Sequence, residues 1–177
     1  VTAFAGTHVL LRKVDPAEIF RMIADHGVTH MAGAPIVLNM ILNAPEEDQR
    51  RFPQTVTITT GGAAPPAAVI AGMEALGFRI IHLYGLTETY GPALISAWQD
   101  DWPAMTVDER ASQMARQGLR HAMVAGYMVA DPDTMEPVPA DGETIGEIMI
   151  RGNTVMKGYL SNPAATQKDL RGGWFHT

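Results

Sequence analysis

One pattern repeats across the first 90 residues and constrains the fold more than any other feature. A short run of β-branched or apolar residues gives way to a loop of small residues. Then a helix starts, each time beside a proline. His8-Val9-Leu10-Leu11 reads as a strand. Asp15-Pro16-Ala17-Glu18 follows, with Asp15 as N-cap, Pro16 at the first helical position and Glu18 completing a capping box. Ile19, Phe20 and Ile23 form the buried stripe of that helix, and Gly27 suits its left-handed C-terminal stop. Val28 to Met31 reads as the next strand. Pro35 restarts a helix whose Ile36 to Leu42 stretch is apolar nearly all round, which predicts deep burial. Thr55 to Thr60 is a β-branched strand. Pro65-Pro66 opens a third helix with Val69, Ile70 and Met73 inward and Gly77 as its stop. Phe78 to Leu83 is again a strand. Strands that alternate with helices imply right-handed crossovers and a parallel sheet.

The second half reads differently. Trp98 to Trp102 looks like a polar surface loop, and Asp108 to Gln117 like a solvated helix ending at Gly118. Met123 to Ala130 and Thr144 to Arg151 read as strands separated by a turn-rich segment, with antiparallel pairing. The fold class is therefore α/β: a partly parallel sheet with flanking helices, followed by an antiparallel β segment. The division falls near residue 97, with the parallel part over 1–97 and the loop, helix and antiparallel strands over 98–177.

Composition excludes several function classes. With 177 residues, 46% of them hydrophobic, the chain fits a folded domain and not a disordered one. The net charge of −6 argues against nucleic acid, which needs a basic face. No apolar run approaches the length of a membrane span. The chain contains no cysteine, which removes disulfides and thiolate metal sites and fits a reducing, cytoplasmic setting. None of Ser96, Ser112 and Ser161 lies in a G-x-S-x-G elbow. His26 and His30 are separated by a helix end, so they do not form a metal pair. His82 reads as a hydrogen-bonded strand histidine, on the same face as Tyr84. Met123, Met128 and Met149 read as core filling in strands.

Three loops follow three of the predicted parallel strands: Ala32-Gly33-Ala34-Pro35, Gly61-Gly62-Ala63-Ala64-Pro65 and Tyr84-Gly85-Leu86-Thr87-Glu88. Ligands of open α/β sheets bind beyond the carboxyl ends of the strands. Each loop taken singly also reads as a plain strand-to-helix turn. No Walker A motif and no G-x-G-x-x-G occurs. The third loop carries the most chemistry. Tyr84 offers a stacking face, the Thr87 hydroxyl can donate to a phosphate oxygen, and Glu88 offers hard oxygen suited to Mg²⁺.

Tyr84-Gly85-Leu86-Thr87-Glu88-Thr89 resembles the adenylate-binding signature of the acyl-adenylate-forming superfamily, which includes acyl-CoA synthetases, luciferases and peptide-synthetase adenylation domains. Gly61-Gly62-Ala63-Ala64-Pro65 is similar to that family's adenine-contacting loop. Gly146 to Gly152, continuing to Met156-Lys157-Gly158-Tyr159-Leu160, resembles its next block. Gly172-Gly173-Trp174-Phe175-His176-Thr177 resembles the start of the block after that. The four stand in the family's order and approximate spacing, and the likeness is to the acyl-CoA synthetases.

The resemblance implies a part of the N-terminal domain of a larger adenylate-forming enzyme, with ATP or AMP, Mg²⁺ and CoA as its small molecules and a fatty or short- to medium-chain carboxylic acid as substrate. It implies that Gly62, Ala63 and Ala64 contact adenine, that Tyr84 stacks on the ring beside Gly85, that Thr87 binds the α-phosphate, and that Glu88 holds Mg²⁺. Thr87 and Glu88 are the two catalytic candidates. Gly33, Ala34, Gly61 and Gly85, with Tyr90-Gly91-Pro92, would border the acyl tunnel, and His30 would lie near its carboxylate end. The other readings are a non-catalytic nucleotide-binding or interaction module, and an adenylation domain of a peptide synthetase. The family's phosphate loop with its lysine, the ribose-binding aspartate and the C-terminal domain with its catalytic lysine do not occur within these residues. The sequence therefore reads as a fragment with an uncovered apolar face, prone to self-association. An ATP–pyrophosphate exchange assay on the 177-residue chain is expected to show no acid-dependent exchange, and robust exchange would contradict that reading.

Overall fold

The computed structural model describes residues 1–177. In chain order its elements are α1 (Pro16–His26), β1 (His30–Ala32), α2 (Pro35–Leu42), β2 (Val56–Thr60), α3 (Ala67–Ala75), β3 (Phe78–Leu86), β4 (Gly91–Ile95), α4 (Val107–Met114), β5 (Leu119–Arg120), β6 (Gly126–Ala130), β7 (Glu147–Arg151), α5 (Pro163–Asp169) and β8 (Phe175–His176). Five strands form one sheet in the order β1-β2-β3-β4-β5, and β6, β7 and β8 form another. Pairing is parallel from β1 to β2 and from β2 to β3. It is antiparallel between β4 and β5 and throughout the second sheet. This is the mixed α/β architecture that the sequence predicts. Two compact units divide the chain, Val1–Leu83 with Ser96–Gly118, and Tyr84–Ile95 with Leu119–Thr177, and β3 runs from the first into the second. No helix is long and apolar enough to cross a membrane.

In the first unit, proline and short polar side chains set the helix starts. Asp15 caps α1 by accepting the Glu18 amide at 3.4 Å. The reciprocal half of the predicted capping box is missing, because Glu18 turns to Arg21 instead, at 2.6 Å. The α4 helix starts at a complete box: Thr106 Oγ1 accepts from the Glu109 amide at 3.3 Å, and Glu109 Oε2 accepts from the Thr106 amide at 2.9 Å. The core gathers Ile19, Phe20 and Ile23 of α1, Leu38 and Ile41 of α2, Ile70 and Met73 of α3, and the inward residues Val56, Ile58, Phe78 and Ile80 of β2 and β3. Alternation along β2 is strict, as expected of a strand with one face in the core.

Several expectations are corrected in this unit. The α2 helix is not deeply buried: Ile36 is 64% exposed and Met40 36%. Leu38 and Ile41 are buried in the core and Val37 and Leu42 pack against it, so uniform apolarity misreads a helix covered on one side. His8 to Leu11 forms no strand, for no neighbour offers a ladder partner and Leu10 stays 79% exposed. The α4 helix stops at Met114, short of Gln117, and buries Arg110, Ala111 and Met114 where a solvated helix is expected. Nor is Trp98 to Trp102 a plain surface loop. Trp102 is buried, the two indoles meet edge to face at 5.5 Å, and the Arg79 guanidinium lies 4.3 Å from the Trp98 ring.

A buried arginine ties this unit's helices. Arg110 of α4 forms an ion pair with Glu74 of α3, its Nε donating to Oε2 at 3.1 Å and its Nη2 to Oε1. Its Nη1 donates to the carbonyls of Trp102 and Met105, both at 3.0 Å. One side chain therefore satisfies the end of the tryptophan turn and crosslinks two helices.

In the second unit, β6 and β7 pair over five residues each, with Met128 opposite Met149. Ala93, Val124 and Ile150 form its small core, with Tyr84, Ile148 and Val155 packed against them. Met149 fills core as expected. Met123 does not: it precedes β6 and is 60% exposed. The stretch Tyr84 to Glu88, read above as a loop, is strand as far as Leu86 and then a 3₁₀ turn over Thr87–Thr89. The chain doubles back so closely that a Cβ on Gly85 would lie 2.1 Å from the Gly91 carbonyl oxygen. Only glycine tolerates that approach.

Replacing Arg110 with alanine is expected to lower stability by about 3 kcal/mol, the order expected when one partner of a largely buried pair is removed. Urea unfolding measures it, and a loss below about 1 kcal/mol would show that the pair is incidental. Gly85→Ala should cost at least about 2 kcal/mol through overpacking against backbone that cannot yield. A melting curve superimposable on the parent's would contradict the hairpin geometry.

Candidate functional site

Small residues end the parallel strands of the first unit. Gly33 and Ala34 follow β1, and Gly61 to Ala64 follow β2. The two loops start side by side, because the Gly33 amide donates to the Thr59 carbonyl at 3.1 Å. Gly61 lies against backbone: a Cβ there would sit 3.1 Å from the carbonyl oxygen of Leu83. Gly62, Ala63 and Ala64 are exposed, so their backbone is open to a flat ligand. His30 stands at the start of β1, not at its carboxyl end. It is exposed and its Nδ1 lies 3.0 Å from Thr29 Oγ1. His82 is buried, with Nδ1 3.4 Å from the Arg116 carbonyl, which is the hydrogen-bonded strand role expected of it.

The second unit holds the residues with reactive side chains. Tyr84, Gly85, Thr87, Glu88, Tyr90 and Gly91 lie on β3, the 3₁₀ turn and the start of β4. Thr89, buried in the middle of this turn, holds it together. Its Oγ1 accepts from the Leu86 amide at 3.0 Å and lies within donating reach of the Leu86 and Gly91 carbonyls, at 3.0 and 2.9 Å. With Thr89 turned inward, Thr87 faces solvent and Glu88 is half-buried. Tyr90 takes a left-handed conformation, φ 59°, that a bulky residue rarely adopts, and its side chain is 85% exposed.

Two contacts fix the chemistry-bearing side chains. The Tyr84 hydroxyl donates to Thr177 Oγ1 at 3.1 Å, just past β8. The Glu88 carboxylate accepts from the Tyr159 hydroxyl at 3.2 Å, while the Glu88 carbonyl accepts from the Met156 amide at 2.7 Å. Burial, then the Glu88 carboxylate and then Asp169, hold the Tyr159 phenol above its ordinary value, so it remains a proton donor at neutral pH. No basic side chain pairs with Glu88; Arg21 pairs with Glu18 and Asp25, Arg110 pairs with Glu74, and His176 Nδ1 lies 2.9 Å from Glu147 Oε2.

Glu88 thus presents a carboxylate bonded on one oxygen to a neutral phenol. No cluster of three or more histidines and carboxylates exists in the chain. A self-contained metal cage is therefore absent, whereas a hard cation that draws most of its oxygens from phosphate and water needs only one such carboxylate. Glu88 fits that requirement. Thr89, Tyr159 and Thr177 are the supporting residues that sequence reasoning missed as such. Thr89 had a local signal, a hydroxyl three residues beyond a strand end. Tyr159 and Thr177 had none, since their partners lie 71 and 93 residues away.

A family model described as AMP-binding enzyme matches residues 1–160. The acetate–CoA ligase CCL3 of Humulus lupulus is 48% identical over all of this chain, which covers 31% of that protein. The peroxisomal acetate/butyrate–CoA ligase AAE7 of Arabidopsis thaliana shows the same identity and coverage, 48% over all of this chain and 31% of its own length. The chain therefore spans about a third of the length of these relatives, 31%. Among solved structures, the anthranilate CoA ligase AuaEII in complex with anthranoyl-AMP superposes with a TM-score of 0.76 at 19% identity, over 97% of this chain and 31% of that one. The o-succinylbenzoate CoA synthetase of Bacillus subtilis gives 0.75 at 22% identity, over 98% and 32%. The last two establish a shared fold, and the family match runs from the start of the chain through β7 and includes the turn after β3: the chain belongs to the AMP-binding enzyme family.

Proposed function

We propose that this chain forms the adenylate-handling part of an AMP-forming acid–thiol ligase that acts on short- to medium-chain carboxylic acids. The observation that carries the reading is the Thr87–Glu88 turn at the end of β3. There an exposed hydroxyl stands beside a carboxylate that no basic side chain neutralises. The names of similar proteins support a small acid: acetate for the hop enzyme, acetate and butyrate for the Arabidopsis one.

In this reaction a carboxylate oxygen of the acid attacks the α-phosphorus of ATP and pyrophosphate leaves. The CoA sulfur then attacks the acyl carbon and AMP leaves. The Thr87 hydroxyl donates to an α-phosphate oxygen and holds it for in-line attack. Glu88 would hold Mg²⁺, which would neutralise part of the charge that builds on the phosphates. Tyr84, tethered through its hydroxyl, keeps one ring face for the nucleobase. The exposed backbone of Gly62, Ala63 and Ala64 suits adenine. Gly33, Ala34 and Gly61 in the first unit, and Gly85, Tyr90 and Gly91 in the second, are small or aromatic surfaces for the acyl group. The cysteine-free composition fits a reducing compartment, and we infer a cytoplasmic location and a place in fatty-acid metabolism.

A chimera tests the reading: these residues replace the matched segment of the hop acetate–CoA ligase. The chimera should support acetate-dependent ATP–pyrophosphate exchange. Glu88→Gln should lower it by about a hundredfold or more, the order lost when a group that stabilises transition-state charge is removed. An active chimera that tolerates Glu88→Gln would overturn the assignment.

A further inference from the structure

The geometry assigns Tyr159 as a positioning residue: its hydroxyl holds one oxygen of Glu88 so that the other is presented to a divalent cation. This rests on the reading of Glu88 as a cation ligand and adds the residue that aims it.

Four observations converge on Tyr159, all within the second unit. First, the hydroxyl donates to Glu88 Oε1 at 3.2 Å. Second, the segment that carries it is clamped to the same residue by backbone, since the Met156 amide donates to the Glu88 carbonyl at 2.7 Å. Glu88 is thus gripped at both its main chain and its carboxylate by residues only three apart. Third, the Tyr159 amide donates to Thr166 Oγ1 at 3.0 Å, and that hydroxyl donates onward to the Asn162 carbonyl at 2.8 Å. The tyrosine backbone is therefore fastened to α5. Fourth, Gly158 takes φ +153°, and a Cβ there would lie 2.6 Å from Thr166 Cγ2. Gly158 thus lets Thr166 approach closely enough to hold the Tyr159 amide.

The chemistry follows from the donor. A lysine or arginine in this place would neutralise Glu88 and compete with a cation. A phenol donates one hydrogen bond, removes one rotational freedom of the carboxylate and leaves its charge intact. Outer partners of this kind orient a ligand and raise its affinity for metal. Asp169 is the other acidic group facing the phenol.

Paramagnetic broadening on the ¹⁵N-labelled chain tests the proposal, with Mn²⁺ alone as the probe. The amides of Glu88 and Met156 should broaden at low Mn²⁺ in the parent chain, and Glu88→Gln should abolish this. Tyr159→Phe should require about tenfold more Mn²⁺ for equal broadening, the lower end of what losing an outer partner costs a metal ligand. Thr166→Val should weaken binding in the same direction and Thr166→Ser, which keeps the hydroxyl, should restore it. A merely structural Tyr159 would shift the melting temperature and leave the Mn²⁺ titration unmoved. If Glu88→Gln abolishes broadening while Tyr159→Phe and Thr166→Val leave it unchanged, the positioning role is overturned and the Glu88 reading stands. If Glu88→Gln has no effect, both fall. Should Tyr159→Phe fail to fold, the Thr166 pair decides alone.

Discussion

One buried hydroxyl shapes the part of this molecule where chemistry is proposed. Thr89 receives the Leu86 amide and reaches the carbonyls on both sides of the turn, so it satisfies backbone groups that the end of β3 would otherwise leave without partners. With Thr89 committed inward, its neighbours have nowhere to go but out. Thr87 is exposed, Glu88 is free of basic partners, and Tyr90 is forced into a left-handed conformation. The strain at Tyr90 is of the kind that persists only where surrounding hydrogen bonds over-determine it. One close backbone approach within the same unit reinforces the arrangement, Gly85 against Gly91.

What the sequence made legible was local. Capping residues, proline at helix starts and β-branched runs depend on neighbours within a turn or two. That is why α1, α3, β2 and the order of alternation could be read directly. The two antiparallel strands β6 and β7 were legible for the same reason, although each begins a few residues later than periodicity suggests. Side-chain burial was harder. A helix that is apolar all round looks buried all round, yet α2 is covered on one face only. The adjacent acids between the tryptophans are solvated as they look, yet Trp102 beside them is buried, with Trp98 edge to face against it. Those outcomes depend on what packs against a segment, and periodicity carries no such information.

The site divides along the same line. Tyr84, Thr87 and Glu88 were legible because they share one short stretch whose residue types suit a nucleotide and a hard cation. The partners that orient them were not. Tyr159 meets Glu88 and Thr177 meets Tyr84 across 71 and 93 residues, and no spacing rule connects residues so far apart. The loops following β1 and β2 are intermediate: their glycines announce a turn, but only the Gly33–Thr59 bond shows that they start together. Family membership adds weight to the local reading, while the supporting contacts come from geometry.

The β8 strand is two residues long, paired to β7 through Phe175 and His176, and the residue after it anchors the phenol of Tyr84. A ladder that short opens far more often than the central sheet, because few hydrogen bonds must break together. The base of the Tyr84 ring is set in a nine-residue strand, whereas its tip is tied to this edge. Opening of this short edge therefore releases the tip of the ring while its backbone stays in the ladder. In the proposed reading that ring face is the one offered to the nucleobase, so the pairing of Phe175 in the second unit bears on how firmly it is held.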